Sequence, residues 1–198
     1  MHALSAAMQP INLFVKDPRM VIWVTGLSAS GKTTLARGIA ERLRIGGAPV
    51  VLLDGDSLRA VLAEEGRKAY TRSERLELAL KYSRMSKMLA DQGMTVVIAT
   101  ISMFREVYSW NRENISDYFE IYLDVPVEEL ERRDPKRIYQ RYREGLIDNV
   151  AGLDLLVDKP ERPDLILCPS SGWSPEDTLS ECLRNLDDQF VNGVAAAR

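Results

Sequence analysis

The chain has 198 residues, 45% hydrophobic and 28% charged, with a net charge of −3. That length allows one domain with a sizeable core, and the acidic balance argues against nucleic acid or an anionic membrane surface as a general partner. Cys168 and Cys182 do not make a disulfide framework, and with His2 as the one histidine there is no His/Cys metal site and no Ser-His-Asp triad.

No apolar run approaches the ~20 residues needed to span a bilayer. No basic segment followed by an apolar stretch opens the chain, so no signal peptide is read and a cytoplasmic protein is expected. Residues 1–18, punctuated by Pro10 and Pro18, read as a tail or a linker from a larger polypeptide. The domain is expected over 19–190, with a short tail over 191–198.

An apolar run over 20–24 predicts a first strand. It leads into Gly26-Leu27-Ser28-Ala29-Ser30-Gly31-Lys32-Thr33, which fits G-x-x-x-x-G-K-[ST]. A helix follows over 32–44, with Leu35, Ile39 and Leu43 spaced for one buried face. A strand over 50–53 ends in Asp54-Gly55-Asp56-Ser57, and Ser57 is the expected cap of a helix over 58–64. Residues 66–71 read as a loop, and Ser73 as the cap of a long helix to about 92.

Residues 94–101 are apolar at nearly every position, as in a parallel strand covered on both faces. A helix over 105–114, a strand over 119–125 and a short helix over 126–133 come next. A basic helix is expected over 136–144, a loop over 145–163, a strand over 165–167 and a last helix over 174–190. Alternating strands and helices imply an α/β fold with a mainly parallel sheet of about five strands. The expected form is the three-layer αβα sandwich of the P-loop nucleotide triphosphatases, with a basic helical lid. Ligands of such sheets bind at the carboxyl ends of the strands, where the glycine-rich turn, Asp54, Asp56 and Ser102 should converge.

Each position of the turn has a physical role. Gly26 and Gly31 allow backbone angles that a Cβ would block, and the loop amides make a concave anion site at the helix N-terminus. Lys32 should reach the β and γ phosphates of a nucleoside triphosphate, with Thr34 beside them, while the Thr33 hydroxyl sits on Mg²⁺. Asp54 and Asp56 would point the same way in an extended segment. One can help hold Mg²⁺ and the other can orient an attacking hydroxyl; taken alone the stretch reads rather as an Asp-Gly turn with a helix cap, and the phosphate-binding turn beside it reverses that preference. Arg132, Arg133, Lys136, Arg137, Arg141 and Arg143 form either a solvated basic face or a lid over ATP. Arg59 and Arg75 can grip an anionic acceptor, and Tyr70 can stack on a base or fill the core.

Five stretches together resemble the adenylylsulfate (APS) kinase family: Trp23-Val-Thr-Gly-Leu-Ser-Ala-Ser-Gly-Lys-Thr-Thr34, Leu53-Asp-Gly-Asp-Ser-Leu-Arg59, Thr100-Ile-Ser-Met-Phe-Arg105, Arg133-Asp-Pro-Lys136 and Ala151-Gly-Leu-Asp154. The resemblance implies transfer of the ATP γ-phosphate to the ribose 3′-hydroxyl of adenylyl sulfate. It implies that Asp56 handles that hydroxyl with Asp54 beside it, and that Arg59 and Arg75 hold the phosphosulfate end. Tyr70 stands where the family has a base-stacking Phe, Ile101 and Ser102 would line the acceptor pocket, and Ser102 matches a serine described as phosphorylated in an intermediate. In-line transfer without that intermediate is the expectation.

Three departures fall on the acceptor side: Ala60 replaces a His, Leu78 an Asn, and Val150 a second stacking Phe. Variants of this appearance are associated with capsule or cell-surface pathways and phosphorylate cytidine diphosphoramidate, the alternative acceptor here. A sugar kinase or a nucleotide switch are the other readings, although the chain has no Asn-Lys-x-Asp guanine signature. A homodimer is expected, as the commonest assembly.

Overall fold

Val21, Ile22, Trp23 and Val24 are each fully buried. Neighbours on a strand point to opposite faces, so this strand is covered on both sides. The structure, a computed structural model, describes residues 20–62, 71–169 and 172–193. The expected tail over 1–18, most of the 66–71 loop including Tyr70, and residues 194–198 lie outside the described residues.

Five strands, β1 (Met20–Gly26), β2 (Val50–Asp54), β3 (Thr95–Ala99), β4 (Tyr118–Leu123) and β5 (Leu165–Leu167), form one sheet in the order β2-β3-β1-β4-β5. Every pairing is parallel. On one face Ile22, Val24, Val97, Ile121 and Leu123 pack with Leu35, Ile39 and Leu43 of α1 (Lys32–Ile45) and with Cys182, Leu183 and Leu186 of α7 (Pro175–Gly193). On the other face Val21, Trp23, Val96 and Ile98 pack with Leu58 of α2 (Gly55–Leu62), Leu78 and Tyr82 of α3 (Arg72–Ala90) and Val107 of α4 (Arg105–Asn114). This is the expected three-layer sandwich, and each such buried side chain contributes about 1.5–3 kcal/mol.

Two short helices, α5 (Val127–Arg133) and α6 (Ile138–Arg143), carry the basic cluster over the carboxyl edge of the sheet. Their own small core, Val125, Leu130 and Tyr139, packs against Leu27, Ala29 and Leu153.

Three helix starts differ from expectation. Ser57 does not cap α2: Asp54 Oδ1 accepts from the amides of Asp56 (3.0 Å) and Ser57 (3.4 Å), so the helix begins at Gly55. Thr71, not Ser73, caps α3, in a reciprocal box with Glu74. Lys136 and Arg137 precede α6 rather than belonging to it. Asp134 accepts from the amides of Ile138 (2.8 Å) and Gln140 (2.9 Å), and Arg137 takes a left-handed φ of 53°.

Candidate active site

The carboxyl ends of β1, β2 and β3 open into one cavity of about 770 Å³. The glycine-bounded turn forms its floor. Ala29 (φ 63°) and Gly31 (φ 96°) both take left-handed backbone, and the Ser30 amide between them closes the turn on Leu27 O at 3.3 Å, a curled backbone of the kind that forms anion-binding concavities. At Gly26 (φ 149°) a Cβ would lie 2.8 Å from Leu123 O and 2.9 Å from Ser30 Oγ, so the turn starts where only glycine fits. Ser28, Ala29, Ser30, Gly31, Lys32, Thr33 and Thr34 line the cavity, whereas Gly26 and Leu27 shape the turn from behind it.

Lys32 Nζ donates to Leu27 O at 2.6 Å and to Ser30 Oγ at 3.5 Å. Burial, and then the neighbouring Lys136 ammonium, push Lys32 down to about 7 against the opposite pull of Asp56 and Asp54. The residue as a whole is only half-buried. It is the ammonium end, folded onto the Leu27 carbonyl, that loses its hydration.

Thr33 Oγ1 donates to Asp54 Oδ2 at 2.8 Å. One carboxylate oxygen thus meets the first turn of α1 while the other caps α2. Asp56 is the first acid of α2 rather than part of an extended segment, and it pairs with Lys136 and, at 3.9 Å, with Arg59. The Lys136 hydrogen bond holds its carboxyl below the usual range, against the opposing effect of burial. Lys136 thus pairs with Asp56 while lying close enough to Lys32 for the two ammonium groups to repel. A Mg²⁺ ion fits the Thr33 hydroxyl and Asp54 carboxylate as a hard oxygen pair. Among the described residues no group of three or more His, Cys, Asp or Glu side chains surrounds it, so phosphate and water oxygens would complete its shell.

On the β2 side, Arg59, Arg75, Ile101, Asn149 and Val150 line the cavity. Arg75 Nη2 donates to Asn149 O at 2.8 Å. Asp154 fixes that loop by accepting from the amides of Asn149 (2.7 Å) and Val150 (2.6 Å). Val150 is buried and presents a branched aliphatic surface rather than a ring.

Two expected acceptor residues lie elsewhere. Leu78 is in the core against the sheet, because α3 turns that position inward. Ser102 is buried, takes φ 29° and bonds Thr100 at 2.7 Å between hydroxyl oxygens, outside the cavity lining. The strand ends at Ala99, which brings Thr100 and Ile101 to the cavity instead. The second threonine that ties this edge together is Thr25, whose hydroxyl donates to Ile101 O at 2.5 Å.

On the β5 side the walls are Arg132, Arg133, Pro169, Trp173 and Thr178. Glu129 accepts from both arginines at 2.7 Å, and Arg132 first, then Arg133, hold its carboxyl down to about 2. Arg133 also donates to Pro169 O at 2.8 Å. Arg137 is outside the lining, and Arg143 is turned away onto Glu131 at 2.6 Å. Sequence reasoning missed Thr100, Glu129, Trp173 and Thr178. Of these, only Glu129 had a local signal, its spacing of three and four residues from Arg132 and Arg133 on one helix.

Residues 18–168 match the sequence model of adenylylsulphate kinase. The chain belongs to the adenylylsulphate kinase family. It is 40% identical over 172 residues to the cytidine diphosphoramidate kinase of Campylobacter jejuni, covering 87% of this chain and 99% of that relative. It is 35% identical over 164 residues to the adenylyl-sulfate kinase of Synechococcus sp. (strain JA-3-3Ab), covering 83% and 89%. The Mycobacterium tuberculosis APS kinase, solved with AMPPNP and APS, superposes with a TM-score of 0.77 at 32% identity, over 86% of this chain and 99% of that one. Membership makes this chain a kinase with ATP as phosphate donor. Among the described residues no helix is long and apolar enough to cross a membrane.

Proposed function

We propose that this kinase transfers the γ-phosphate of ATP to the ribose 3′-hydroxyl of a nucleotide acceptor, and that the acceptor is cytidine diphosphoramidate. The observation that carries the reading is the meeting of Thr33, Asp54, Asp56 and Lys136 on the wall between the phosphate-binding turn and the Arg59/Arg75/Val150 chamber. The turn amides and Lys32 hold the β and γ phosphates. Thr33 and Asp54 would hold Mg²⁺, which would supply charge neutralisation there. Asp56 accepts the proton of, or orients, the attacking hydroxyl once Lys136 moves from it to the phosphates. Arg133 and Lys136 then spread the charge that develops on the transferred group. Arg59 and Arg75 hold the acceptor's pyrophosphate-like end. Ser102, bonded to Thr100 behind the wall, positions the Thr100–Ile101 segment and takes no phosphate in a direct in-line transfer.

Two features favour cytidine over adenine. The C. jejuni relative is more similar than the adenylyl-sulfate kinases reported above. Val150 also offers the base an aliphatic patch in place of a second ring. Stacking is worth about 1–3 kcal/mol per base, and a purine, with its larger face, loses more of it than a pyrimidine. Adenylyl sulfate is the second reading, supported by the APS kinase superposition.

Release of ADP is measured with each acceptor in turn. The proposal expects kcat/KM for cytidine diphosphoramidate at least about tenfold above that for adenylyl sulfate. The reverse order establishes the second reading, and no turnover with either acceptor refutes both. A cytoplasmic homodimer completes the proposal, and sedimentation at assay concentration checks its assembly state.

A further inference from the structure

We infer that the indole of Trp173 is the platform on which the base of the phosphate donor stacks. The inference rests on the reading of the cavity as a kinase site and adds the residue that senses the donor's nucleoside end. The sheet order gives the direction. Asp54 and Asp56 lie at the β2 edge, the phosphate-binding turn follows central β1, and β5 with α7 lies at the opposite edge. A triphosphate whose last phosphate meets the acids across the turn has its nucleoside pointing to β5 and α7. Trp173 stands there, lining the cavity with Thr34, Pro169 and Thr178.

Trp173 is 42% exposed and is the one aromatic among the exposed large hydrophobic residues described. A large flat apolar surface left open at a cavity mouth gains most when a flat partner covers it. The backbone that follows the ring is fixed. Ser174 N donates to Asp177 Oδ2 at 2.9 Å, and Asp177 N to Ser174 Oγ at 3.1 Å, a reciprocal cap that fixes the turn just after the tryptophan. Pro175 and a third bond, Thr178 Oγ1 to Ser174 O at 3.1 Å, stiffen it further. Trp has only two side-chain torsions, so ordering the ring on a ligand costs little entropy.

Arg133, on the same end, spends Nε on Glu129 and Nη2 on Pro169 O. Those bonds lie in the guanidinium plane and leave its faces to a ring. Arg133 was expected to bind ATP from the sequence; the indole was not.

Binding of MgATP and of inorganic tripolyphosphate is measured by calorimetry without acceptor, for wild type, Trp173→Ala and Trp173→Phe. Trp173→Ala is expected to weaken MgATP by about 5- to 150-fold and leave tripolyphosphate within twofold. Trp173→Phe, which keeps a flat face, should recover most of the MgATP affinity. Equal losses for both ligands, or unchanged MgATP affinity, overturn the inference while the kinase reading stands. Failure of the wild type to bind MgATP overturns the kinase reading itself. Thermal unfolding of each variant shows that it is folded.

Discussion

A lysine with a pKa of about 7 at the bottom of a phosphate site makes ATP binding a protonation reaction. The free protein holds Lys32 down because its ammonium is desolvated and faces Lys136. A triphosphate placed on it should draw the ammonium back up towards its ordinary range. At pH 8 about one molecule in ten carries the proton before binding, so uptake is about 0.9 proton; at pH 7 it is about 0.5, and at pH 6 about 0.1. Asp56 is held below its ordinary carboxylate value, is ionised across that range and adds nothing.

The assay is calorimetric titration with MgATP in buffers of different ionisation enthalpy, where the slope of observed against buffer enthalpy counts protons. Lys32→Arg is the control, since a guanidinium does not titrate there. A slope of zero at pH 8, or an equal slope in Lys32→Arg, would refute the electrostatics assigned to this site.

Three other perturbations test separate parts of the molecule. Asp56→Asn should lower kcat by about 10²-fold or more while ATP affinity stays within a few-fold, if Asp56 serves the acceptor hydroxyl. Single-turnover and binding measurements separate the two. Arg112→Met removes the cation that Glu120, with a side chain 2% exposed, meets at 3.3 Å. Leaving that acid without its counter-ion, with the Tyr118 hydroxyl as its remaining side-chain donor, and taking Arg112 from Asp164 as well, costs about 3–5 kcal/mol, or about 6–20 °C in Tm.

Burial already raises the Glu120 carboxyl above its ordinary value despite Arg112. In the variant it rises further, so the folded state binds more protons than the unfolded one above about pH 4.5. The loss should therefore grow from pH 5 to pH 8, and a pH-independent loss would show that Glu120 is not the group left exposed. Gly152→Ala should also destabilise. Its φ is +85°, and the added Cβ would lie 2.7 Å from Leu27 Cδ1, so urea unfolding should report a midpoint below wild type.

The phosphate-binding turn and helix α4 were legible because their information is local: a glycine spacing in one case, an uninterrupted helical stretch in the other. Helix starts were legible only in part. Ser57 and Ser73 are good cap types, yet Asp54 and Thr71 sit where the chain leaves its preceding segment, and the Thr71-x-x-Glu74 box was itself a readable signal. The break between α5 and α6 was expected at Asp134-Pro135; that α6 starts two residues later than expected follows from Asp134 accepting from the amides of Ile138 and Gln140.

The topology of the sheet announced that the turn and Asp54 would meet at one edge, but individual partners from the later elements were not legible. Lys136 meets Asp56 from 80 residues away, and the turn into α7 brings Trp173, and α7 itself Thr178, to a cavity built mainly by earlier elements. Ser102 was misplaced because the strand stops two residues sooner than its apolar run suggested.

The double duty of Asp54 has a mechanical corollary. Its two oxygens pin the start of the helix bearing Asp56 and Arg59 to the hydroxyl that opens α1. Any movement of that helix relative to α1 must therefore stretch or break one of these two bonds, so Asp54 acts as a hinge pin between the two helices.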